Sequence, residues 1–342
     1  MLVDDSLTVR TVFTRIIEGE QDFVLAGQAS TAEAALAQLA AVRPDVVLLD
    51  LEMPGMGGLK ALPYLLAQAR DLRVLVVSSL TEAGAWHSLE AMCGGAADTM
   101  PKPRPGDFDQ AYQNQLIAKI RALGTSRTLP ALSSAIGSVP PMLRAPGKPP
   151  RLLAIGASTG GVHATGTVLA GLPPSFTLPI LVTQHIPASF VPVFGRQLEL
   201  ISQRETVVAG EGTLLRPGQI ALAPGNAHMM VRAEGRALVT ELSRQAVPSG
   251  CLPAVDPMLS SIAAACEGAA VALILSGMGR DGQTGASALV EAGGTVIAQD
   301  ADSCAVWGMP KAVTLAGLVA GVMPPREMPD WLLRFTGAGA WK

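Results

Sequence analysis

The chain has 342 residues, of which 49% are hydrophobic and 15% charged, and its formal net charge is −3. This length predicts two domains with well-filled cores. The sequence lacks both an apolar run of the roughly 18–20 residues that span a membrane and the pattern of a secretory signal. From residue 151 onward, 12 Lys and Arg stand against 13 Asp and Glu. This balance argues against a nucleic-acid partner for that half.

The four cysteines are scattered and show no C-x-x-C spacing; they are Cys93, Cys251, Cys266 and Cys304. This pattern predicts neither a disulfide framework nor a zinc site and is typical of a reducing compartment. We therefore expect a cytoplasmic protein that does not insert into the membrane.

Apolar runs and amphipathic segments alternate over the first 105 residues, which predicts a doubly wound α/β domain with a parallel sheet. The predicted strands are Met1–Val3, Phe23–Gly27, Val46–Leu49, Val74–Val77 and Ala96–Met100. Helices are predicted between them, for example over 31–42, where Thr31 is a plausible N-cap, and then over 107–123. Residues 124–150 are rich in Pro, Ser and Gly and lack periodicity, which is typical of an interdomain linker.

The alternation resumes at Arg151 and predicts a second α/β domain over 151–342. Its predicted strands are Leu152–Gly156, Ile180–Thr183, Gln219–Ala223, His228–Val231, Ala270–Leu275 and Thr295–Ala298. Its predicted helices are 160–171, 188–202, 256–267, 282–292 and 308–316.

Polar residues follow the strands of the first half. Asp4 and Asp5 follow the first strand, Asp50 the third and Lys102 the fifth, while Ser78 ends the fourth. Because parallel strands end at one crevice, these side chains are expected to meet there. Crowded carboxylates favour Mg²⁺. The pattern predicts phosphoryl transfer to Asp50, with Mg²⁺ and Lys102 offsetting the phosphate charge.

The second half carries Gly156-Ala157-Ser158-Thr159-Gly160, a literal G-x-S-x-G. The hydrolase elbow with this motif needs an acid and then a histidine after the serine. Between Ser158 and the last histidine, His228, the only acids are Glu199, Glu205 and Glu211, and none of them obviously ends a strand. The pattern therefore disfavours that fold.

Another catalytic order fits the predicted strand ends. Ser158 and His185 each follow a strand, and Asp281 lies in the loop SGMGRDG after a third. These positions predict a triad in which Asp281 orients His185 and His185 acts as general base. Thr159 and the turn Gly277–Gly279 are candidates for donors to a tetrahedral oxyanion.

Alternatives remain open at this point. His228 is a second candidate base, and Asp256 and Asp300 are candidate acids. A glycine turn with serine also binds phosphates at helix N-termini, so a nucleotide-binding oxidoreductase is an alternative, although G-x-G-x-x-G is absent. A regulatory binding protein without catalysis is another.

The first half resembles a response-regulator receiver domain (1–123), through LVDDS at 2–6, LLDLEMPGMGG at 48–58, VVSSLT at 76–81 and PKP at 101–103. The resemblance implies a flavodoxin-like fold and phosphorylation of Asp50 by a histidine kinase. It also implies that Asp4, Asp5 and Asp50 hold Mg²⁺ and that Ser78 and Lys102 read the phosphorylated state.

The second half resembles the catalytic domain of the chemotaxis methylesterase CheB family. The resemblance is carried by AIGASTGG (154–161), TQHIP (183–187), LRPGQIALAPGNAHM (215–229), PAVD (253–256), LSGMGRDG (275–282) and AQDADSCAVWGMPKAV (298–313). It implies a Rossmann-like domain that hydrolyses glutamate γ-methyl esters on the cytoplasmic helices of chemoreceptors, without a cofactor, and that sometimes deamidates glutamines. The family's catalytic residues fall on Ser158, His185 and Asp281, and Thr159 and Met278 match positions that border its active site.

Some positions depart from these families. The first strand is short, from which we expect a translation start further upstream. Gly57 stands where many receivers carry Asp, and Thr99 where many carry a switching aromatic. SGCL at 249–252 stands where some methylesterases carry basic residues. For regulation, we expect the unphosphorylated receiver to cover the Ser158 crevice and phosphorylation to open it.

Overall fold

The structure is a computed structural model that describes residues 1–69, 71–79, 81–103, 109–125 and 147–336. The chain divides into two compact units, Met1–Pro130 and Ala131–Lys342. Most of the predicted linker, residues 126–146, lies outside the described residues. No helix in the described ranges is long and apolar enough to cross a membrane.

The first unit is a parallel sheet with helices between its strands. In chain order its elements are β1 (Leu2–Val3), α1 (Leu7–Glu18), β2 (Gln28–Ala29), α2 (Ala32–Val42), β3 (Val46–Asp50), α3 (Gly58–Gln68), β4 (Arg73–Ser78), α4 (Glu82–Cys93), β5 (Asp98–Pro101) and α5 (Gln110–Thr125). The strand order is β2-β1-β3-β4-β5. This is the flavodoxin-like order, so the predicted fold class of this half is confirmed.

The prediction of the second strand at Phe23–Gly27 was wrong, because the strand in the structure is β2, at Gln28–Ala29. The two-residue β1 offers only two pairing positions, and they are taken by Gln28 and Ala29. Val24 is 87% exposed, so this apolar run does not enter the core.

Within its described residues, 147–336, the second unit contains nine strands. In chain order its elements are β6 (Leu153–Ala157), α6 (Gly161–Ala170), β7 (Ile180–Gln184), α7 (Val191–Ser202), β8 (Thr206–Val208), β9 (Ile220–Leu222), β10 (His228–Glu234), β11 (Ala237–Ser243), α8 (Val255–Ala265), β12 (Val271–Ile274), α9 (Gln283–Glu291), β13 (Thr295–Gln299), α10 (Met309–Leu315), β14 (Gly321–Met323) and α11 (Met328–Thr336). The strands β8, β11 and β14 and the helix α11 were not predicted.

Seven of these strands form a parallel sheet in the order β14-β13-β12-β6-β7-β9-β8, while β10 and β11 form a separate antiparallel ribbon. Every residue of β6, β7 and β12 is buried. Strands covered on both faces are continuously apolar, as these sequences are. The predicted doubly wound parallel sheet is therefore confirmed for this half, with the ribbon as an addition.

The first strand of this unit, β6, lies between β12 and β7. The chain thus leaves β6 toward one side of the sheet and later returns on the other side. This reversal opens a crevice at the carboxyl ends of the three strands, which is where parallel α/β sheets place their ligands.

Candidate functional site

Ser158 lies in a tight turn directly after β6. Its N–H donates to the carbonyl of Ser276 at 3.0 Å, and its own carbonyl accepts the N–H of Gly161 at 2.8 Å. Gly160 has φ 78°, and a Cβ there would lie 2.5 Å from the Cβ of Ala305. Glycine is therefore required at position 160 of the turn. Ser158 is half-buried, and its hydroxyl makes no hydrogen bond within the described part of the chain.

His185 follows β7 and is tied to the serine turn through the backbone. Its N–H donates to the carbonyl of Ala157 at 3.0 Å. The preceding side chain, Gln184, is buried, and its Nε2 donates to the carbonyl of Ser158 at 2.7 Å. These bonds fix the ends of β6 and β7 against each other, so Ser158 and His185 lie at adjacent strand ends.

Asp281 lies in the loop after β12 and is 3% exposed. Its Oδ2 accepts the N–H of Val255 at 2.6 Å, and its Oδ1 accepts the N–H of Asp256 at 3.2 Å. Both donors belong to the first turn of α8. A helix N-terminus favours negative charge, so this turn holds Asp281 as an oriented carboxylate.

The imidazole of His185 contacts this carboxylate, with 2.8 Å between His185 Nε2 and Asp281 Oδ2. Burial opposes charge on the imidazole, but the hydrogen bonds to Asp281 and Cys251 outweigh it and raise the pKa of His185 to about 9. Burial likewise opposes charge on Asp281, and the bonds from His185 and Val255 hold the pKa of that carboxyl below its usual value. The charged forms of His185 and Asp281 therefore stabilise each other.

The loop after β12 also lies against the serine. A Cβ on Gly277 would come within 2.8 Å of the Ser158 Cβ, so only glycine fits there. The Ser276 hydroxyl donates to the carbonyl of Thr159 at 2.7 Å and locks the two turns together. Thr159 is buried at 8% exposure and Met278 is 43% exposed. The loop that carries Met278 and Asp281 thus meets the serine turn.

The structure separates the rival residues from this arrangement. His228 is buried, accepts the N–H of Ala254 on Nδ1 and donates from Nε2 to the carbonyl of Gln245, each at 2.9 Å. Both ring nitrogens are hydrogen-bonded to backbone groups, so His228 stabilises the ribbon and is not available as a general base. Asp300 accepts a hydrogen bond from Ser303.

Asp256, the other candidate acid, is a half-buried neighbour of Asp281. It accepts the N–H of Gly285 at 2.8 Å. Burial and the adjacent Asp281 carboxylate raise the pKa of Asp256. Of the two acids, Asp281 contacts the histidine.

Cys251, a residue that the sequence analysis did not assign to the site, also lies beside the histidine. Its Sγ, a ring nitrogen of His185 and a carboxylate oxygen of Asp281 all lie within 4.8 Å of one another. The hydrogen bond with His185 lowers the pKa of the Cys251 thiol despite partial burial. The SGCL segment thus places a thiol where some methylesterases carry basic residues. That difference was the one sequence feature that drew attention to Cys251.

The first unit brings its polar residues together at the carboxyl ends of its strands. Lys102 Nζ lies 2.6 Å from Asp50 Oδ2 and 3.2 Å from Asp4 Oδ2. Asp50 is 1% exposed, and its Oδ1 accepts the N–H of Glu52 at 3.0 Å. Bonds to Asp50 raise the pKa of Lys102 although burial opposes its charge. The ammonium therefore stays charged beside Asp50.

Oxygen atoms of Asp4, Asp5 and Asp50 lie within 4.8 Å of one another. Burial and the charge of Asp50 raise the pKa of Asp4. Asp4 Oδ2 is buried and accepts no well-oriented hydrogen bond in the described structure. A donor set made of three carboxylates, in which Asp4 Oδ2 is buried beside the Lys102 ammonium at 3.2 Å, fits Mg²⁺.

Ser78 ends β4, and its carbonyl accepts the N–H of Lys102 at 2.6 Å. Its hydroxyl shares a hydrogen bond with the hydroxyl of Ser88 on α4, and both residues are buried. The Ser78 side chain thus bonds to α4 instead of Asp50. The sequence did not point to Ser88, because it lies inside α4, ten residues after Ser78, and not at a strand end.

One departure in this unit, Gly57, has a local explanation in the backbone, and nothing in the structure explains the other, Thr99. Gly57 has φ 74°, a conformation that disfavours any residue with a Cβ, so glycine suits the start of α3. Thr99 is half-buried in β5, and its N–H donates to the side chain of Asp98 at 2.8 Å.

Two family models match the chain. The model described as CheB methylesterase matches residues 153–332, more than half of the chain. The model described as response regulator receiver domain matches residues 1–113.

Curated proteins and solved structures agree with these matches. A protein-glutamate methylesterase/protein-glutamine glutaminase 1 from Paramagnetospirillum magneticum is 41% identical over 98% of this chain and 95% of its own length. A protein of the same kind, numbered 2, from Caulobacter vibrioides is 42% identical over 97% of each. The crystal structure of the Thermotoga maritima CheB methylesterase catalytic domain, 34% identical, covers 54% of this chain and 98% of that one at a TM-score of 0.53. The chain therefore belongs to the CheB methylesterase family, with a receiver domain ahead of its catalytic domain.

Proposed function

We propose that this protein is a serine esterase that hydrolyses glutamate γ-methyl esters on chemoreceptors and is activated by phosphorylation of its receiver domain. The observation that carries the proposal is the contact of His185 Nε2 with Asp281 Oδ2 at 2.8 Å, formed across the strand end that bears Ser158. The nearly full-length relatives named protein-glutamate methylesterase support the substrate class.

We assign the nucleophile to Ser158, the general base to His185 and the orienting acid to Asp281. In the tautomer that carries its proton on Nε2, His185 donates to Asp281, and Nδ1 is the nitrogen left to accept a proton. The Ser158 Oγ attacks the ester carbonyl as His185 takes its proton. The tetrahedral intermediate then expels methanol, which leaves with that proton.

Water, deprotonated by His185, attacks the resulting acyl-serine. The acyl–Oγ bond then breaks, His185 returns the proton to Ser158 Oγ, and the glutamate side chain is released and ionises to the carboxylate. The negative oxygen of each tetrahedral intermediate needs hydrogen-bond donors. We assign this border of the site to Thr159 and Met278, which lie in the two turns that Ser276 locks together. The relatives are also named protein-glutamine glutaminases. Deamidation uses the same steps with ammonia as leaving group, and we propose it as a second activity.

We assign the phosphorylation site to Asp50, with Lys102 neutralising charge on the phosphoryl group and Ser78 sensing it. The phosphodonor is a histidine kinase of the chemosensory system. Asp4, Asp5 and Asp50 are the residues that would hold Mg²⁺, and a bound Mg²⁺ supplies charge stabilisation for phosphoryl transfer. For ester hydrolysis we assign no cofactor.

Methanol release from a methylated chemoreceptor cytoplasmic fragment tests both halves of the proposal. The full chain is assayed in Mg²⁺, with and without a small-molecule phosphodonor. We expect the rate to rise with phosphodonor, and Ser158→Ala to lower it by about 10⁴-fold or more, the usual loss when a catalytic serine is removed. Equal rates for Ser158→Ala and the unchanged chain would overturn the nucleophile assignment.

Asp50→Asn is the matched variant for regulation. It keeps the size of the side chain but removes the carboxylate that accepts the phosphoryl group. We expect it to retain basal ester hydrolysis and to lose the response to phosphodonor. A response that persists in Asp50→Asn would place the phosphorylation elsewhere.

A further inference from the structure

Three loops bring different metal-binding groups to one point beside the proposed nucleophile. Cys251 comes from the segment before α8, His185 from the end of β7 and Asp281 from the loop after β12. Their thiol sulfur, ring nitrogen and carboxylate oxygen are within 4.8 Å of one another. The catalytic roles proposed above use the histidine and the aspartate and leave the thiol unused.

Thiolate, imidazole and carboxylate are the ligand types of Zn²⁺, which binds them at about 2.0–2.3 Å in a tetrahedron. Two ligands on such an ion lie roughly 3.3–3.8 Å apart, from the same bond lengths. The three ligand atoms lie within 4.8 Å of one another, so small side-chain rotations would bring them to these separations. Mg²⁺ prefers oxygen ligands and does not suit this set.

The surroundings favour ligation from the solvent side. Asp281 is held by two backbone N–H groups of α8, so its carboxylate is already oriented. Cys251 is half-buried, and the His185 side chain retains 14% exposure. An ion can enter at the thiol and leave its fourth position to water.

We propose that Zn²⁺, or an ion of similar chemistry, binds Cys251, His185 and Asp281 and inhibits the esterase reversibly. As the sulfur–metal and nitrogen–metal bonds form, the thiol proton and the extra proton of a charged imidazole both go to solvent, and no redox change occurs. The metal takes an imidazole lone pair and the carboxylate that orients the ring, so His185 no longer serves Ser158. The inhibition rests on the proposed function, whereas the binding does not.

Cobalt absorption tests the binding without any activity. Co²⁺ is titrated into the chelator-treated full chain, and thiolate-to-cobalt charge transfer is followed in the near ultraviolet. We expect one band that is lost in Cys251→Ser and retained in Ser158→Ala. Cys93→Ser is the matched control, since Cys93 is also half-buried but lies in the receiver. No band in the unchanged chain, or a band that survives in Cys251→Ser, would overturn the site.

Zinc inhibition tests the consequence. Methanol release is measured in saturating Mg²⁺ over a range of Zn²⁺, and a chelator is then added. Mutating a residue that hydrogen-bonds to a metal ligand typically weakens metal affinity by roughly 10–100-fold. Removing the ligand itself should weaken it by at least as much. We therefore expect half-inhibition of Cys251→Ser to need at least about tenfold more Zn²⁺ than that of the unchanged chain or Cys93→Ser, with rates restored by chelator. Equal sensitivity of Cys251→Ser would overturn the inhibitory role.

Should no variant hydrolyse the ester, the cobalt titration still decides the metal site. A cysteine-dependent band in an inactive chain would count against the proposed function alone. An active chain without that band would count against the metal site alone.

Discussion

His185 and Asp281 are 96 residues apart in the chain, yet their side chains meet at 2.8 Å. They arrive from β7 and β12, which lie on opposite sides of β6. Their contact therefore passes over the end of the strand that delivers Ser158. Each of the three side chains depends on a separate strand, so the sheet order itself assembles the site.

Asp281→Asn is expected to lower kcat for methanol release by about 10⁴-fold, as loss of the orienting acid does in other serine hydrolases. The amide keeps the shape but no longer fixes the tautomer of His185 or stabilises its charged form. Steady-state kinetics at saturating substrate measure the change.

Asp300→Asn is the control for that substitution, because Asp300 is bonded to Ser303 and does not contact the histidine. We expect its kcat to stay close to that of the unchanged chain. If the two variants lose activity equally, Asp281 is not the orienting acid.

The rate of ester hydrolysis is expected to rise with pH up to about 9. A base with a raised pKa is protonated below that value, so the neutral, reactive fraction of His185 grows with pH through the folded-state pKa of about 9. The expected slope is about tenfold per pH unit on the acid side. A profile of kcat/KM against pH on chelator-treated protein measures it, and a plateau from pH 7 onward would contradict it.

Cys251→Ser is expected to move the acid limb of the same profile to lower pH. The thiol contributes to the raised pKa of His185, after Asp281, and a serine hydroxyl does not ionise in this range. Cys93→Ser, which changes a thiol in the other unit, should leave the limb in place. An unmoved limb in Cys251→Ser would show that the thiol does not act on the imidazole.

Ser88→Ala is expected to sensitise the protein to phosphodonor. The Ser78 hydroxyl is bonded to Ser88, and removing that partner frees it to turn toward a phosphorylated Asp50. A hydrogen bond contributes about 1 kcal/mol net, so half-activation should need roughly fivefold less phosphodonor. Methanol release against phosphodonor concentration gives the midpoint.

Ser79→Ala provides the comparison, since Ser79 neighbours Ser78 but bonds to Glu52 and Thr81. Its midpoint should stay near that of the unchanged chain. A higher midpoint for Ser88→Ala would mean that Ser88 supports the activated form.

Arg204→Met is expected to destabilise the catalytic unit by about 2–4 kcal/mol, since it removes charged hydrogen bonds from one buried and two partly buried carbonyls. Arg204 is buried, and its guanidinium donates to the carbonyls of Pro173, Phe176 and Gly218 at 2.6, 2.8 and 3.2 Å. The methionine fills the space but leaves those carbonyls without a donor. Urea titration followed by esterase activity reports on this unit.

The exposed Arg216, replaced by methionine, is the control for charge and side-chain length. Its urea midpoint should remain unchanged. A similar midpoint for both variants would show that the stability of the unit does not depend on the hydrogen bonds from Arg204 to these three carbonyls.

The sequence predicted the polar residues at the strand ends of the receiver but misplaced one of its strands. Asp4, Asp5, Asp50 and Lys102 could be predicted to meet because each follows or ends a strand, and the carboxyl ends of parallel strands lie at one edge of the sheet. The second strand was misplaced because the apolar residues Phe23 and Val24 look like a strand. Its position depends on pairing with the short β1, a long-range contact that local hydrophobicity does not encode.

The sequence alone located most of the strands and helices and nominated the reactive groups: apolar runs indicated strands, and the strand ends pointed to Ser158, His185 and Asp281. Tertiary structure decided which candidates meet. It tied both nitrogens of His228 to backbone, turned Ser78 toward Ser88 and brought Cys251 to the histidine. The physical reason is that hydrogen bonding and pKa depend on distances between groups far apart in the chain, and only packing of the sheet and helices fixes those distances.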